Sequence, residues 1–117
     1  AVVMQEFIRP LRRFYREWGS FTRKVGIKAL RDREEVGAAA VDYLMYSGYV
    51  SLAYFWAKIA DAAYRRLDEN PDNPAYYQGK IKTARFYYQK LLPRAKMHKE
   101  IMLSGGSSVM DIAEEEF

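Results

Sequence analysis

Met4-Gln5-Glu6-Phe7-Ile8-Arg9-Pro10-Leu11-Arg12-Arg13-Phe14-Tyr15-Arg16-Glu17-Trp18-Gly19-Ser20-Phe21-Thr22-Arg23-Lys24-Val25 carries apolar residues at positions 4, 7, 11, 14, 18, 21 and 25. The steps alternate between three and four, the period of one face of an α-helix. Cations and acids fill the positions between, so the stretch predicts a long amphipathic helix. Pro10 lies inside it. A proline within a helix costs about 3 kcal/mol or more, because its ring clashes with the carbonyl four residues back. Either Pro10 opens the helix and residues 1–9 form a separate segment, or it kinks a continuous helix. The unbroken phase of the stripe across Pro10 favours the kink. Gly19 and Gly26 are weaker points, each costing about 1 kcal/mol against Ala.

Beyond this stretch, residues 29–33 read as a short break. Asp32 is a candidate N-cap there, with Glu35 three residues on in a capping-box-like arrangement. A second helix is expected from Arg33 to Leu67. Its apolar stripe is Val41, Leu44, Gly48, Leu52, Phe55, Ile59, Ala63 and Leu67, and its other sides carry Tyr43, Tyr46, Val50, Tyr54 and Trp56. A helix apolar on most sides must be surrounded, so it reads as the buried centre of the fold. The charge-free run 43–57 is shorter than the roughly 20 residues a membrane span needs. Glu69-Asn70-Pro71-Asp72-Asn73-Pro74 then punctuates the chain, with Asn73 as N-cap and Pro74 at the first helical position. The third helix is striped by Tyr77, Ile81, Ala84, Tyr88, Leu91, Ala95, His98 and Met102, with a kink expected at residues 89–93 because of Pro93. Gly105 and Gly106 are its expected C-cap, and Val109, Met110, Ile112 and Phe117 can return a short turn to the bundle. The fold class predicted is all-α: an antiparallel up-down bundle of three long helices plus a short C-terminal helix or tail, in one domain over residues 1–117.

Composition narrows the chemistry. The chain has 117 residues, 50% hydrophobic and 15% aromatic, with no Cys and one His. Disorder does not fit that apolar content. The absence of Cys removes disulfides, thiolate metal sites and a cysteine nucleophile. The lone His98 has no Glu three residues before it, which removes a carboxylate di-metal bundle; on an apolar stripe it reads as a packed or rim histidine. Gly105-Gly106-Ser107-Ser108 follows a helix rather than a strand and lacks the lysine of a phosphate loop. Asp42, on the apolar helix, needs either solvent or a partner, since an unpaired buried carboxylate is costly. Positive charge concentrates in residues 75–104, with seven Lys/Arg against one acid. Lys82 and Arg85 share a face there, and an anion is able to touch both. A solvated face, a site for a phosphorylated small molecule and nucleic-acid binding all remain open for this segment.

Ala38-Ala39-Ala40-Val41-Asp42-Tyr43-Leu44, Gly48-Tyr49-Val50 and Trp56-Ala57, followed by Lys82-Thr83-Ala84-Arg85-Phe86-Tyr87, Leu91-Leu92-Pro93, Ser104-Gly105-Gly106 and Val109-Met110, form an ordered set. Over residues 10–117 this set resembles the C-terminal helical domain appended to one branch of the bacterial acyl-CoA dehydrogenases, with Asp42, Tyr43, Trp56 and Pro93 among the matching positions. The resemblance implies a parent flavoprotein that uses FAD to oxidise a fatty acyl-CoA thioester to the 2-enoyl-CoA. A glutamate abstracts the α-proton and the flavin takes the hydride. That machinery belongs to other domains, so no catalytic, metal or flavin residue is carried over to this chain. The expected role is accessory: a cytoplasmic helical piece of a larger enzyme that packs on its catalytic domains or on a second copy through the apolar excess of the second helix, which three helices cannot readily surround, meeting acyl-CoA only through that parent. The alternative is a free-standing helical interaction module that binds nucleic acid or another anion through the basic third helix.

Overall fold

The computed structural model describes residues 2–31, 33–104 and 111–116, and the side-chain surroundings of all of these except residues 28, 29, 31, 33–36 and 38. Every regular element among the described residues is helical. A 3-10 turn, Val2–Met4, leads into α1 (Gln5–Arg31); α2 is Arg33–Asp68; α3 is Pro74–Phe86; a π-helical turn, Tyr87–Leu91, joins it to α4 (Arg94–Leu103); a second 3-10 turn spans Glu114–Glu116. The helix α1 passes through Pro10 without a break and extends to Arg31, so the connection to α2 is narrower than the sequence implied. The proposed caps at Asp32 and at Gly105 and Gly106 lie outside the described residues, as do Val109, Met110 and Phe117. Pro74 does open α3, but Asn73 caps it without a side-chain hydrogen bond.

The amphipathic stripe of α1 is the core-facing side, as its period required. Met4, Phe7, Phe14 and Phe21 are buried, and Leu11, Trp18 and Val25 pack half-buried beside them. Each fully buried side chain of this size stabilises the fold by about 1.5–3 kcal/mol. With the core in phase on both sides of Pro10, burial outweighs the local cost of the proline.

Segment α2 behaves differently from its sequence reading. About 54 Å long at 1.5 Å per residue, it is the spine against which α1, α3 and α4 all pack. Its inward side is Ala39, Tyr46, Val50, Ala53, Ala57, Ala60 and Ala63. Small side chains there let the flanking helices bring their own aromatics close. The stripe read as core points the other way: Val41, Leu44, Leu52, Phe55 and Ile59 are all exposed, and of that stripe only Ala63 is buried, with Leu67 partly covered. Cα extents of 68 × 28 × 16 Å explain why. The molecule is a thin slab with one layer of helices laid on α2, so the helix is covered on one side rather than surrounded.

The third predicted helix is divided. Pro93 has no N–H to donate, so the regular ladder fails ahead of it. The N–H of Leu92 instead donates five residues back to the carbonyl of Tyr87 at 2.9 Å, and α4 restarts with Ala95 donating to Leu92 at 3.0 Å. The wider π turn changes which side chains face inward: Tyr87 and Leu92 become buried alongside the expected Ile81, Ala84, Tyr88, Ala95 and Met102.

Candidate docking face and polar clusters

Three hydroxyls pin the slab together. Tyr46, fully buried, donates from its hydroxyl to the carbonyl of Phe14 at 3.0 Å, tying α2 to α1. Its ring meets Phe21 edge-on at 4.5 Å and Phe14 at 6.1 Å. From the π turn, Tyr87 donates to the carbonyl of Tyr49 and Tyr88 to that of Ala53 at 2.7 Å. Burial pushes the phenols of Tyr46, Tyr87 and Tyr88 well above the usual tyrosine range, because a desolvated phenolate is disfavoured.

Asp42 and His98 find each other. Nδ1 of His98 lies 2.9 Å from Oδ1 of Asp42, both side chains are mostly covered, and the imidazole stacks on Tyr49 at 5.8 Å. This joins α2 to α4 and satisfies the carboxylate that the sequence left needing a partner. The neighbouring Tyr43 hydroxyl shares a 2.9 Å hydrogen bond with Thr22 of α1. Trp56 is partly buried against the core, and Pro93 forms the restart of α4.

Of the sequence-predicted anion pair, Arg85 is already engaged. Its Nε and Nη2 donate to the two carboxylate oxygens of Glu6 at 2.7 and 3.0 Å. That fork is the strong geometry for a guanidinium and a carboxylate, and the Arg85 hydrogen bond holds the Glu6 carboxyl below the usual carboxylate range. Lys82 is exposed on the outer side of α3. Among the described residues no group of His, Asp and Glu is arranged to hold a metal ion, and no helix is long and apolar enough to cross a membrane.

The sequence predicted an apolar excess on α2 but placed it on the wrong side: the stripe read as core is the outward face. Leu44 and Val41 are 70% and 69% exposed and Phe55 is 57% exposed, in line with Leu52 and Ile59. A groove of about 340 Å³ continues the face at its C-terminal end, where Ile59, Ala62 and Ala63 meet Tyr76 and Tyr77 of α3. Arg66 and Lys80 rim it, each over a tyrosine ring at 6.0 and 5.2 Å. A contiguous apolar face bounded by charge marks an interaction surface. The signal was present in the sequence as a surplus: α2 has more apolar residues than one covered side can use.

No curated protein sequence matches the chain. A family model does, and it spans residues 1–113. That span takes in all of α1 to α4, with the outward apolar face of α2 and the Asp42–His98 pair inside it, and the chain belongs to the acetyl-CoA dehydrogenase C-terminal like family.

Proposed function

We propose that this chain is a non-catalytic accessory domain of an FAD-dependent acyl-CoA dehydrogenase in the cytoplasm, docking through the outward face of α2 on that enzyme's catalytic domains or on a second subunit. The observation that carries the reading is the row of exposed large apolar side chains from Val41 to Ile59 on a helix whose opposite side is fully packed. The helices are read as an up-down antiparallel bundle. In support, Thr22 meets Tyr43 while Phe14 meets Tyr46, and His98 meets Asp42 while Tyr88 meets Ala53.

The residues here do not fit a flavin. The glycine-rich turn between strand and helix that holds a dinucleotide in doubly wound folds has no counterpart among the described residues, whose regular elements are all helical. A groove of about 500 Å³ lies along one face of α1 and is lined by Arg9, Arg12, Arg13, Arg16 and Glu17, a charged lining unlike the apolar slot an isoalloxazine ring needs. No step of the oxidation is therefore assigned to these side chains. The protein at its native length tests the reading. Removing residues 1–117 should change the mass of the assembly and lower its thermal stability while bound flavin stays in place. Loss of the flavin on that truncation contradicts it.

A second reading is favoured by one observation: Lys82, Lys90, Arg94 and Lys96 are exposed along α3, the π turn and α4. Such a row suits a polyanion. Binding to nucleic acid at low salt that weakens steeply as salt rises would support this reading, and no binding at low salt removes it.

A further inference from the structure

On the reading that the α2 face docks, its own pattern names the occupant. Gly48 and Leu52 stand either side of the face's midpoint. Moving outward, Leu44 on one side matches Phe55 on the other, and Val41 matches Ile59; all four are exposed. One turn further, exposed Gly37 matches exposed Ala62. At the limits, position 34 is a glutamate and position 66 an arginine, both in helical phase with the face. Read from either end, the outer apolar pairs are similar in size, the central pair is small against large, and the limits are opposite in charge. That is the pattern of an isologous contact, in which one patch meets itself about a two-fold axis.

We propose that a second copy of this chain occupies the face, α2 lying antiparallel on α2 about a two-fold axis near residue 50. In this register the two positions of each facing pair sum to 99 or 100, the alternation following the three- and four-residue steps of the helix. Leu52 enters the gap at Gly48 of the second copy, where a Cβ would meet nothing within 4 Å. Val41 lies against Ile59 of the second copy, and each such pair occurs twice. Small residues at 37, 48 and 62 allow the close end of the 8–10 Å range of helix separations. Charge selects the direction. Antiparallel packing sets acidic position 34 opposite exposed Arg66 of the second copy, which within its own chain bridges Glu69 at 3.2 Å, and beside the groove that Arg66 and Lys80 rim. Parallel packing instead sets acid beside acid and arginine beside arginine, which is repulsive. The groove's apolar floor, Ile59 and Ala62 with Tyr76 and Tyr77, is where the first turns of the second α2 arrive.

The absence of cysteine in the sequence makes the register directly readable. In the full protein, the double variant V41C/I59C should form an intermolecular disulfide under mild oxidation. Each single variant should not, because positions 41 and 59 lie about 27 Å apart along the helix. The single charge changes Glu34→Arg and Arg66→Glu should each weaken self-association by about 3–10-fold. The double variant should recover to within about 2-fold of the original. Phe55→Asp, at an outward position whose substitution leaves the core intact by circular dichroism, serves as the control. Loss of assembly in Phe55→Asp without the 41–59 cross-link or the charge rescue overturns the two-fold contact and leaves docking elsewhere. Unchanged assembly in Phe55→Asp overturns both.

Discussion

Two truncations on α2, two residues apart, should differ by several kcal/mol. Tyr46 is fully buried, packs on Phe14 and Phe21, and donates to a main-chain carbonyl. Replacing it by Ala removes an aromatic ring from a site walled by two other helix-borne aromatics, which costs about 3–5 kcal/mol. Tyr46→Phe isolates the hydroxyl: it removes one hydrogen bond and costs about 0.5–1.5 kcal/mol. Leu44, at 70% exposure, loses almost no buried area on truncation. Leu44→Ala should therefore fall within about 0.5 kcal/mol of the parent when the chain is dissociated. For a domain of this size each kcal/mol moves the melting temperature by about 3–6 °C. Thermal unfolding followed by far-ultraviolet circular dichroism in dilute solution reads all three. A Leu44→Ala loss comparable to that of Tyr46→Ala would refute the placement of α2, because the sequence stripe would then be the core after all.

Further outcomes follow from the polar clusters. Tyr46, Tyr87 and Tyr88 titrate higher in the fold than in the unfolded chain, so their contribution is fully present below pH 10 and is lost as pH rises through their folded values; alkaline titration of stability should show a fall beginning near pH 10 that is smaller in the Tyr88→Phe variant. Glu6 titrates lower in the fold, so its contribution is present above the ordinary glutamate range and fades as pH falls through the folded value; Arg85→Ala should remove that acid-side dependence with little change at neutral pH, as expected of an exposed pair. His98→Ala leaves Asp42 mostly covered and unpaired, costing about 1–3 kcal/mol in a denaturant titration. Because Glu6 already holds Arg85, Lys82→Ala with Arg85→Ala should leave the KM for acyl-CoA of the proposed parent dehydrogenase unchanged; a rise shows that this pair contacts the substrate.

The helices themselves were legible because their signals are local. The stripe of α1, the Pro-rich break before α3 and the ladder lost at Pro93 each act within one or two turns. Which side of α2 is inward was not legible. Periodicity identifies a face by its large apolar residues, and on α2 those residues are outside while alanines are inside. Small inward side chains are chosen by the bulk of the facing helices, which is information carried by Phe7, Phe21, Tyr87 and Tyr88 elsewhere in the chain. The pairing of Asp42 with His98 spans 56 positions, and that of Glu6 with Arg85 spans 79. Neither has a signature short of the tertiary arrangement. Burial of Tyr87 and Leu92 depends on the π turn, which shifts the phase that regular helical spacing assumes.

The account stands or falls on what covers the outward face of α2. Hydroxyl-radical footprinting of the assembled protein and of the same protein after dissociation measures this at Leu44, Leu52 and Phe55 individually, with buried Tyr46 as the internal reference. The expected result is labelling close to that of Tyr46 in the assembly, rising to that of an open side chain on dissociation. Equal and strong labelling of the three residues in both states would contradict the claim that this face is a docking surface.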